Sequence, residues 1–253
     1  MSMKLNEKQQ EAATTLNGCL LIVAVAGSGK TTVLINRAVN LVNAGVDPKR
    51  ILMITFTRYA ARNMAIKAKE IGDNKCIGLY TSTFHSFYLD MLRRYGNIIG
   101  MDPNFVILNS DGSIEDSISQ VMAKYTEYGE VKGFPSFSDI REAYSYAINT
   151  GRPLDQVLSE FKETMDYVAE LCDLYEIWTK EKEATNNYTY DDLMVKMLEL
   201  MQTENGRNAV SSLFDYIMVD EYQDINKPQN EILQLLTSSN PNVAVVGDDY
   251  QAI

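Results

Sequence analysis

The stretch that most constrains this chain is Leu20-Leu21-Ile22-Val23-Ala24-Val25-Ala26-Gly27-Ser28-Gly29-Lys30-Thr31-Thr32. A β-branched apolar run gives way to a loop of small residues. Then come Lys-Thr-Thr and apolar positions at helical spacing: Val33, Leu34, Ala38, Leu41 and Val42. Strand, loop and helix in that order make an anion site. The backbone amides of Gly27 to Thr31 can point into one concavity, and the helix that starts there adds the positive end of its dipole. The spacing lets the Lys30 ammonium reach the β- and γ-phosphates and the Thr31 hydroxyl ligate Mg²⁺. A nucleoside triphosphate is therefore expected, held by Ala26, Gly27, Ser28, Gly29, Lys30, Thr31 and Thr32. The full pattern G-x-x-x-x-G-K-[ST] has Gly where this chain has Ala24. Ala is compatible with that position as long as it needs no positive φ.

The chain has 253 residues, enough for one large domain or one domain carrying an insertion. No run of about 18 apolar residues occurs, which argues against a membrane span. Met1 to Lys8 contains no apolar core of a signal peptide, so a cytoplasmic location is expected. The 3 cysteines, Cys19, Cys76 and Cys172, are far apart and read as reduced thiols in or near the core. A net charge of −11 argues against a generally basic surface, so any nucleic acid would be held by a local groove.

In order along the chain, 5–13 reads as an amphipathic helix capped by Asn6. Gln9 or Gln10 there could present an amide to a base edge or simply face solvent. After the phosphate-loop helix, Ile51 to Thr57 is a second apolar strand, followed by a helix from Arg58 to Lys69. A third strand, Ile77 to Thr81, leads into Ser82-Thr83-Phe84-His85-Ser86-Phe87 and another helix. Strands alternating with helices call for an α/β fold, a parallel sheet with helices on both faces. Between about 101 and 187 the period is helical throughout, acidic and rich in Tyr, with no strong strand. This reads as an inserted all-helical subdomain in which Tyr125, Tyr128, Tyr144, Tyr146, Tyr167 and Tyr175 serve core and interface rather than a base-stacking platform, and Trp178 serves packing. The α/β pattern then resumes, with a buried strand over 214–219 and another over 243–247. Ligands of open α/β sheets bind at the carboxyl ends of the strands, where the polar clusters fall.

The second of those clusters is Asp220-Glu221-Tyr222-Gln223-Asp224. Asp220 can hold Mg²⁺, directly or through its waters, and Glu221 can orient and deprotonate the attacking water. Gln251, at the tip of the next strand, is placed to sense a γ-phosphate.

In this order the segments resemble the N-terminal half of the UvrD/Rep-type superfamily I DNA helicases. The residues that carry the likeness are Leu5-Asn6 with Gln9, Ala26 to Thr31, Thr55-Phe56-Thr57, Thr83 to Ser86, Tyr190-Asp191-Asp192-Leu193, Asp220 to Asp224, and Gly247-Asp248-Asp249-Tyr250-Gln251. The resemblance implies a RecA-like P-loop NTPase fold over 1–105 and 188–253, interrupted by a helical insertion over 106–187. It also implies that Ala24 is an ordinary choice at its position. ATP with Mg²⁺ would be the nucleotide, with Gln9 reading adenine, Arg37 packing near the base and Gln251 coupling the γ-phosphate to DNA. Phe56, Thr57, Arg58, Thr83, Phe84 and His85 would line a groove for single-stranded DNA. The Thr-Phe-His-Ser version belongs to the branch that moves 3′ to 5′. Arg58-Tyr59 replaces the Asn-Lys that often follows Thr-Phe-Thr. His85, the only histidine, reads either as a structural hydrogen bond or as a DNA contact.

Family helicases also use a second motor domain that supplies arginines to the γ-phosphate. The expectation is therefore half a motor, which binds and slowly hydrolyses ATP and does not unwind alone. Two other readings compete. In a nucleotide-regulated binding module, hydrolysis is incidental, and Asp220-Glu221 with Gln251 argues against that. A P-loop kinase would not need Gln223-Asp224 or the Thr-Phe-His-Ser segment.

Overall fold

In a computed structural model that describes residues 5–25, 27–108, 111–125 and 134–248, the chain divides into two compact units. One is built from the described residues of 1–91, 201–225 and 229–253, the other from those of 92–200 and 226–228. The strands in chain order are β1 (Leu20–Val23), β2 (Ile51–Thr55), β3 (Tyr80–Thr83), β4 (Val106–Ile107), β5 (Asn187–Tyr188), β6 (Tyr216–Val219) and β7 (Val243–Gly247).

The first unit carries a five-stranded sheet of order β1-β7-β6-β2-β3, parallel at every pairing. The two late strands enter between β1 and β2. Three loops that are remote in sequence, those after β1, β6 and β7, therefore leave the same sheet edge side by side, with Val23 opposite Gly247 and Val219 opposite Val245. The helices of this unit begin with α1 (Glu7–Thr14), α2 (Lys30–Asn43), α3 (Arg58–Ile71) and α4 (Phe84–Tyr95). Leu34, Ala38 and Leu41 fall at i, i+4 and i+7 of α2 and are fully buried, with Met64 and Ala68 of α3, against Met53, Met218 and Val246 of the sheet. Full burial of each large side chain there is worth about 1.5–3 kcal/mol. All five residues of β2 are buried, so the sheet is covered on both faces, as its unbroken apolar run requires. Edge strand β1 instead alternates, with Leu20 and Ile22 packed inward and Leu21 and Val23 exposed.

The third strand starts later than its apolar pattern suggests. Cys76 to Gly78 turn the chain, with Gly78 at φ +106°, and pairing begins only at Tyr80 opposite Leu52. The strand then runs to Thr83, and α4 starts at Phe84, so Thr83-Phe84-His85 is a strand end joined directly to a helix start.

The second unit holds α5 (Asp111–Tyr125), α6 (Phe137–Thr150), α7 (Leu154–Glu160), α8 (Val168–Ala184) and most of α9 (Tyr190–Gln202). Farther along come α10 (Glu204–Ser211) and α11 (Lys227–Thr237). Ile118, Ile140, Tyr144, Leu158, Leu171 and Leu174 form the core of the helical unit. Tyr144 donates to the Leu171 carbonyl at 2.7 Å, and Trp178 stacks on its ring and donates to Ser117 Oγ at 2.9 Å. These two aromatics pack as expected, whereas Tyr146 is substantially exposed. A strand pair is present where none is legible in the sequence: β4 pairs parallel with β5, Val106 opposite Asn187. Two-residue strands are too short to leave a period. The cysteines are free thiols, but Cys19 is exposed, because it precedes the exposed edge strand β1 instead of entering the core. Among the described residues, no helix is long and apolar enough to cross a membrane.

Candidate active site

The loop after β1 turns on two left-handed glycines, Gly27 at φ +76° and Gly29 at φ +85°. Gly29 is the residue preceding the first turn of α2, so Lys30, Thr31 and Thr32 open a helix of 14 residues with its amino end at the sheet edge. Ala24 needs no positive φ. It stays in line with the sheet, its N–H donating to the Gly247 carbonyl at 3.1 Å. Ala26 lies outside the described residues.

Lys30 is buried. Its ammonium donates to the Ala24 carbonyl at 3.0 Å and stands 3.6 Å from Asp248 Oδ2 at the exit of β7. Thr31 Oγ1 donates to Asp220 Oδ2 at 2.7 Å, bridging the helix start to the exit of β6. The other carboxylate oxygen, Asp220 Oδ1, is buried with no hydrogen-bond partner, and so is Ser28 Oγ. Buried oxygens left unsatisfied cost about 1–3 kcal/mol each, which is the mark of a site built for a ligand. Burial raises the pKa of Asp220 above the usual carboxylate range. The Thr31 hydrogen bond opposes that shift, and the Glu221 charge adds to it.

Glu221 sits at φ +54°, ψ +47°, a left-handed conformation that costs a non-glycine residue about 1–2 kcal/mol. That turn takes its side chain out of line with β6. Gln223 Nε2 donates to Glu221 Oε2 at 2.7 Å, while the Asp248 N–H donates to Gln223 Oε1 at 3.0 Å. The site thus comprises Lys30, Thr31, Asp220, Glu221, Gln223 and Asp248. Gln251 lies outside the described residues. Asp248 and Gln223 were not assigned roles from the sequence. The signal for both is their place in the two segments that carry the family resemblance, Asp220 to Asp224 and Gly247 to Gln251.

Gln9 is tied down from both sides. Asn6 and Gln9 form a capping box at the start of α1, and Gln9 Nε2 donates to the Ser28 carbonyl at 2.7 Å, which sets it against the phosphate loop. Arg37, about two turns into α2 from Lys30, is almost fully buried and donates from Nη2 to the Leu16 carbonyl at 3.0 Å. Its Nη1 has no partner, and burial lowers its pKa.

The other sequence-predicted residues gather at the exits of β2 and β3, which pair through Thr55 and Thr83. Phe56 is partly exposed and meets the buried Phe84 edge-on at 5.7 Å. Thr57 caps α3, accepting from the Ala60 N–H at 3.1 Å, and Arg58 begins that helix. Thr83 is buried and its Oγ1 accepts from the Ser86 N–H at 3.3 Å, while the His85 ring lies 6.3 Å from that of Tyr88.

The chain matches the family described as the UvrD/REP helicase N-terminal domain over residues 5–253. It is 34% identical to the ATP-dependent DNA helicase PcrA of Leuconostoc citreum, over 98% of this chain and 33% of that protein. Against the proteins of the same name from Staphylococcus aureus and Staphylococcus epidermidis the identities are 33% and 32%, over 98% of this chain and 34% of each. The chain therefore spans about a third of the length of these relatives.

Proposed function

Because the chain belongs to the UvrD/REP helicase N-terminal domain family, we propose that it is the ATP-binding and ATP-hydrolysing motor domain of a DNA helicase that translocates 3′ to 5′ on single-stranded DNA. The observation that carries this reading is the Thr31–Asp220 bridge, with Asp220 Oδ1 unpaired and Glu221 turned off the strand beside it. A phosphate loop alone would serve a switch or a kinase. A buried carboxylate on the loop's threonine, followed directly by a second carboxylate, is what hydrolysis needs.

ATP would lie over the phosphate loop, its phosphates taking the amides of Gly27 to Thr31 and the Lys30 ammonium, with Gln9 against the adenine and Arg37 behind it. The oxygen set of Thr31 and Asp220 fits Mg²⁺, a hard cation that keeps most of its waters and takes few protein ligands. Thr31 and Asp220 would hold it, and its charge would offset the negative charge that develops on the phosphates. Glu221 would hold the attacking water and accept its proton, and Gln251 would register the γ-phosphate. Phe56, Thr57, Arg58, Thr83, Phe84 and His85 would form one wall of the DNA groove. A second motor domain would supply the other wall and arginines to the γ-phosphate, and such an arginine is worth about 10³–10⁵ in rate. The 253 residues acting alone would therefore bind ATP, hydrolyse it slowly and not separate strands. Within this reading, 106–187 is an insertion in the motor domain.

Two titrations test the proposal. A fluorescent ATP analogue with Mg²⁺ should bind the chain and lose at least tenfold in affinity on Lys30→Ala. A fluorescent single-stranded oligonucleotide should bind, and bind more weakly on Phe56→Ala. Equal analogue binding by Lys30→Ala would refute the nucleotide site, and no oligonucleotide binding by the wild type would refute the DNA wall.

A further inference from the structure

We propose that Gln223 is a positioning residue for hydrolysis, which holds the Glu221 carboxylate at the water site by anchoring it to the exit of β7. The inference rests on the ATPase reading above and deepens it.

Gln223 has one partner at each end of its amide. Its Nε2 donates to Glu221 Oε2 at 2.7 Å, and its Oε1 accepts from the Asp248 N–H at 3.0 Å. A backbone N–H can only donate and an ionised carboxylate can only accept, so the two neighbours admit one orientation of the amide. Gln223 therefore fixes one oxygen of Glu221, leaving Oε1 for a water.

The anchor is as well defined as the group it holds. Gly247, the last residue of β7, lets Gln223 approach closely. A Cβ built on it would meet Gln223 Oε1 at 3.1 Å and the Gln223 backbone nitrogen at 3.5 Å. Asp248, whose N–H holds Gln223, also presents Oδ2 to Lys30 at 3.6 Å. Glu221, Gln223, Asp248 and Lys30 thus form one connected arc from the general base to the phosphate-loop lysine. Its links join the exits of β6 and β7 to the start of α2, which follows β1, and β1, β7 and β6 are adjacent in the sheet. Glu221 needs such support because its left-handed backbone leaves the side chain no help from the strand it has just left. A general base must stand within hydrogen-bond reach of its water, and a displacement near 1 Å costs about 10²-fold in rate.

Two substitutions separate the donor role from simple loop packing. Gln223→Ala removes both bonds. Gln223→Glu keeps an acceptor for the Asp248 N–H but sets a carboxylate against Glu221. The expected result is that both variants lose at least tenfold in kcat for ATP, while the dissociation constant for the fluorescent ATP analogue with Mg²⁺ stays within about twofold of wild type. Wild-type kcat in Gln223→Glu would overturn the inference, because packing against β7 would then suffice. A loss of analogue affinity as large as the loss of kcat, or a variant too unfolded to bind, would also overturn it, because the side chain would then be holding the pocket rather than the base. A wild-type chain whose hydrolysis is indifferent to Lys30→Ala would defeat the ATPase reading itself, and this inference with it. Full kcat in both Gln223 variants with Lys30-dependent turnover intact would defeat this inference alone.

Discussion

The helical unit contains a buried ion pair whose removal should be costly and easy to observe. Lys182 Nζ donates to both carboxylate oxygens of Asp192, at 2.6 and 2.8 Å, and lies 3.7 Å from the centre of the Trp178 ring. Burial pushes the lysine pKa below its usual range, and the Asp192 charge only partly restores it. Asp192 also accepts from the Thr189 N–H at 2.7 Å and from Thr189 Oγ1 at 2.9 Å at the start of α9. Removing one partner of a buried pair costs about 3–5 kcal/mol, because an uncompensated charge stays behind. In Lys182→Met, Asp192 keeps its two Thr189 bonds, and the thioether replaces part of the contact with Trp178. The expected loss is therefore at the low end, about 3 kcal/mol. With a urea slope of about 1–3 kcal/mol per molar, the midpoint should fall by roughly 1–3 M. The chain has a single Trp, so its fluorescence reports this unit directly. Asp192→Asn keeps an oxygen for the Thr189 N–H but turns an amide toward the ammonium. Joined to Lys182→Met it should cost less than the sum of the two by about 1–3 kcal/mol. A single-variant loss below about 1 kcal/mol, or strict additivity, would refute the claim that the pair is coupled and buried.

Three further outcomes follow from the site and the sheet. Glu221→Gly should abolish turnover by 10²-fold or more without lowering stability, since glycine accepts the left-handed conformation (φ +54°) at no steric cost. A stability loss above about 1 kcal/mol in a thermal melt would count against it. Gly29→Ala should lower stability by about 1–2 kcal/mol and weaken ATP-analogue binding at least tenfold. Position 29 is at φ +85°, and the new Cβ would meet Gln9 Nε2 at 3.2 Å. Wild-type binding would contradict the loop geometry. Asp215→Asn should cost up to about 1 kcal/mol at pH 7, because the pair with Arg50 is close to half exposed. The Arg50 hydrogen bonds lower the Asp215 pKa, so the contribution is present above the unfolded value near 3.9 and fades as pH falls through the lower folded value. Urea midpoints of variant and wild type should thus draw together as pH falls through that lower value, and a gap that does not shrink below the unfolded value would contradict the assignment.

What was legible in the sequence is what is written locally. Leu20 to Thr32 carries strand, loop and helix within 13 residues, and the Asn6 cap needs only Gln9 three positions on. The apolar run of β6 and the carboxylates after it could be read together because both requirements meet in one segment. What was not legible depends on which strands become neighbours. Gln223 meets Asp248 because β6 lies beside β7, and Lys182 near the end of α8 meets Asp192 near the start of α9 across the short β5 segment, and neither leaves a periodic trace. The left-handed backbone of Glu221 was hidden for another reason: sequence patterns announce that conformation through glycine, and here the position carries a carboxylate. The late start of β3 followed from Gly78, whose positive φ delays pairing beyond an apolar Ile77 that looked like strand.

The most direct test of the central claim is phosphate release from ATP by this chain, with and without single-stranded DNA, beside Lys30→Ala. The account predicts slow turnover that Lys30→Ala abolishes and that DNA changes little. Turnover indifferent to Lys30 would contradict the nucleotide site. Fast, DNA-stimulated turnover would contradict the proposal that the remaining catalytic arginines come from a second motor domain.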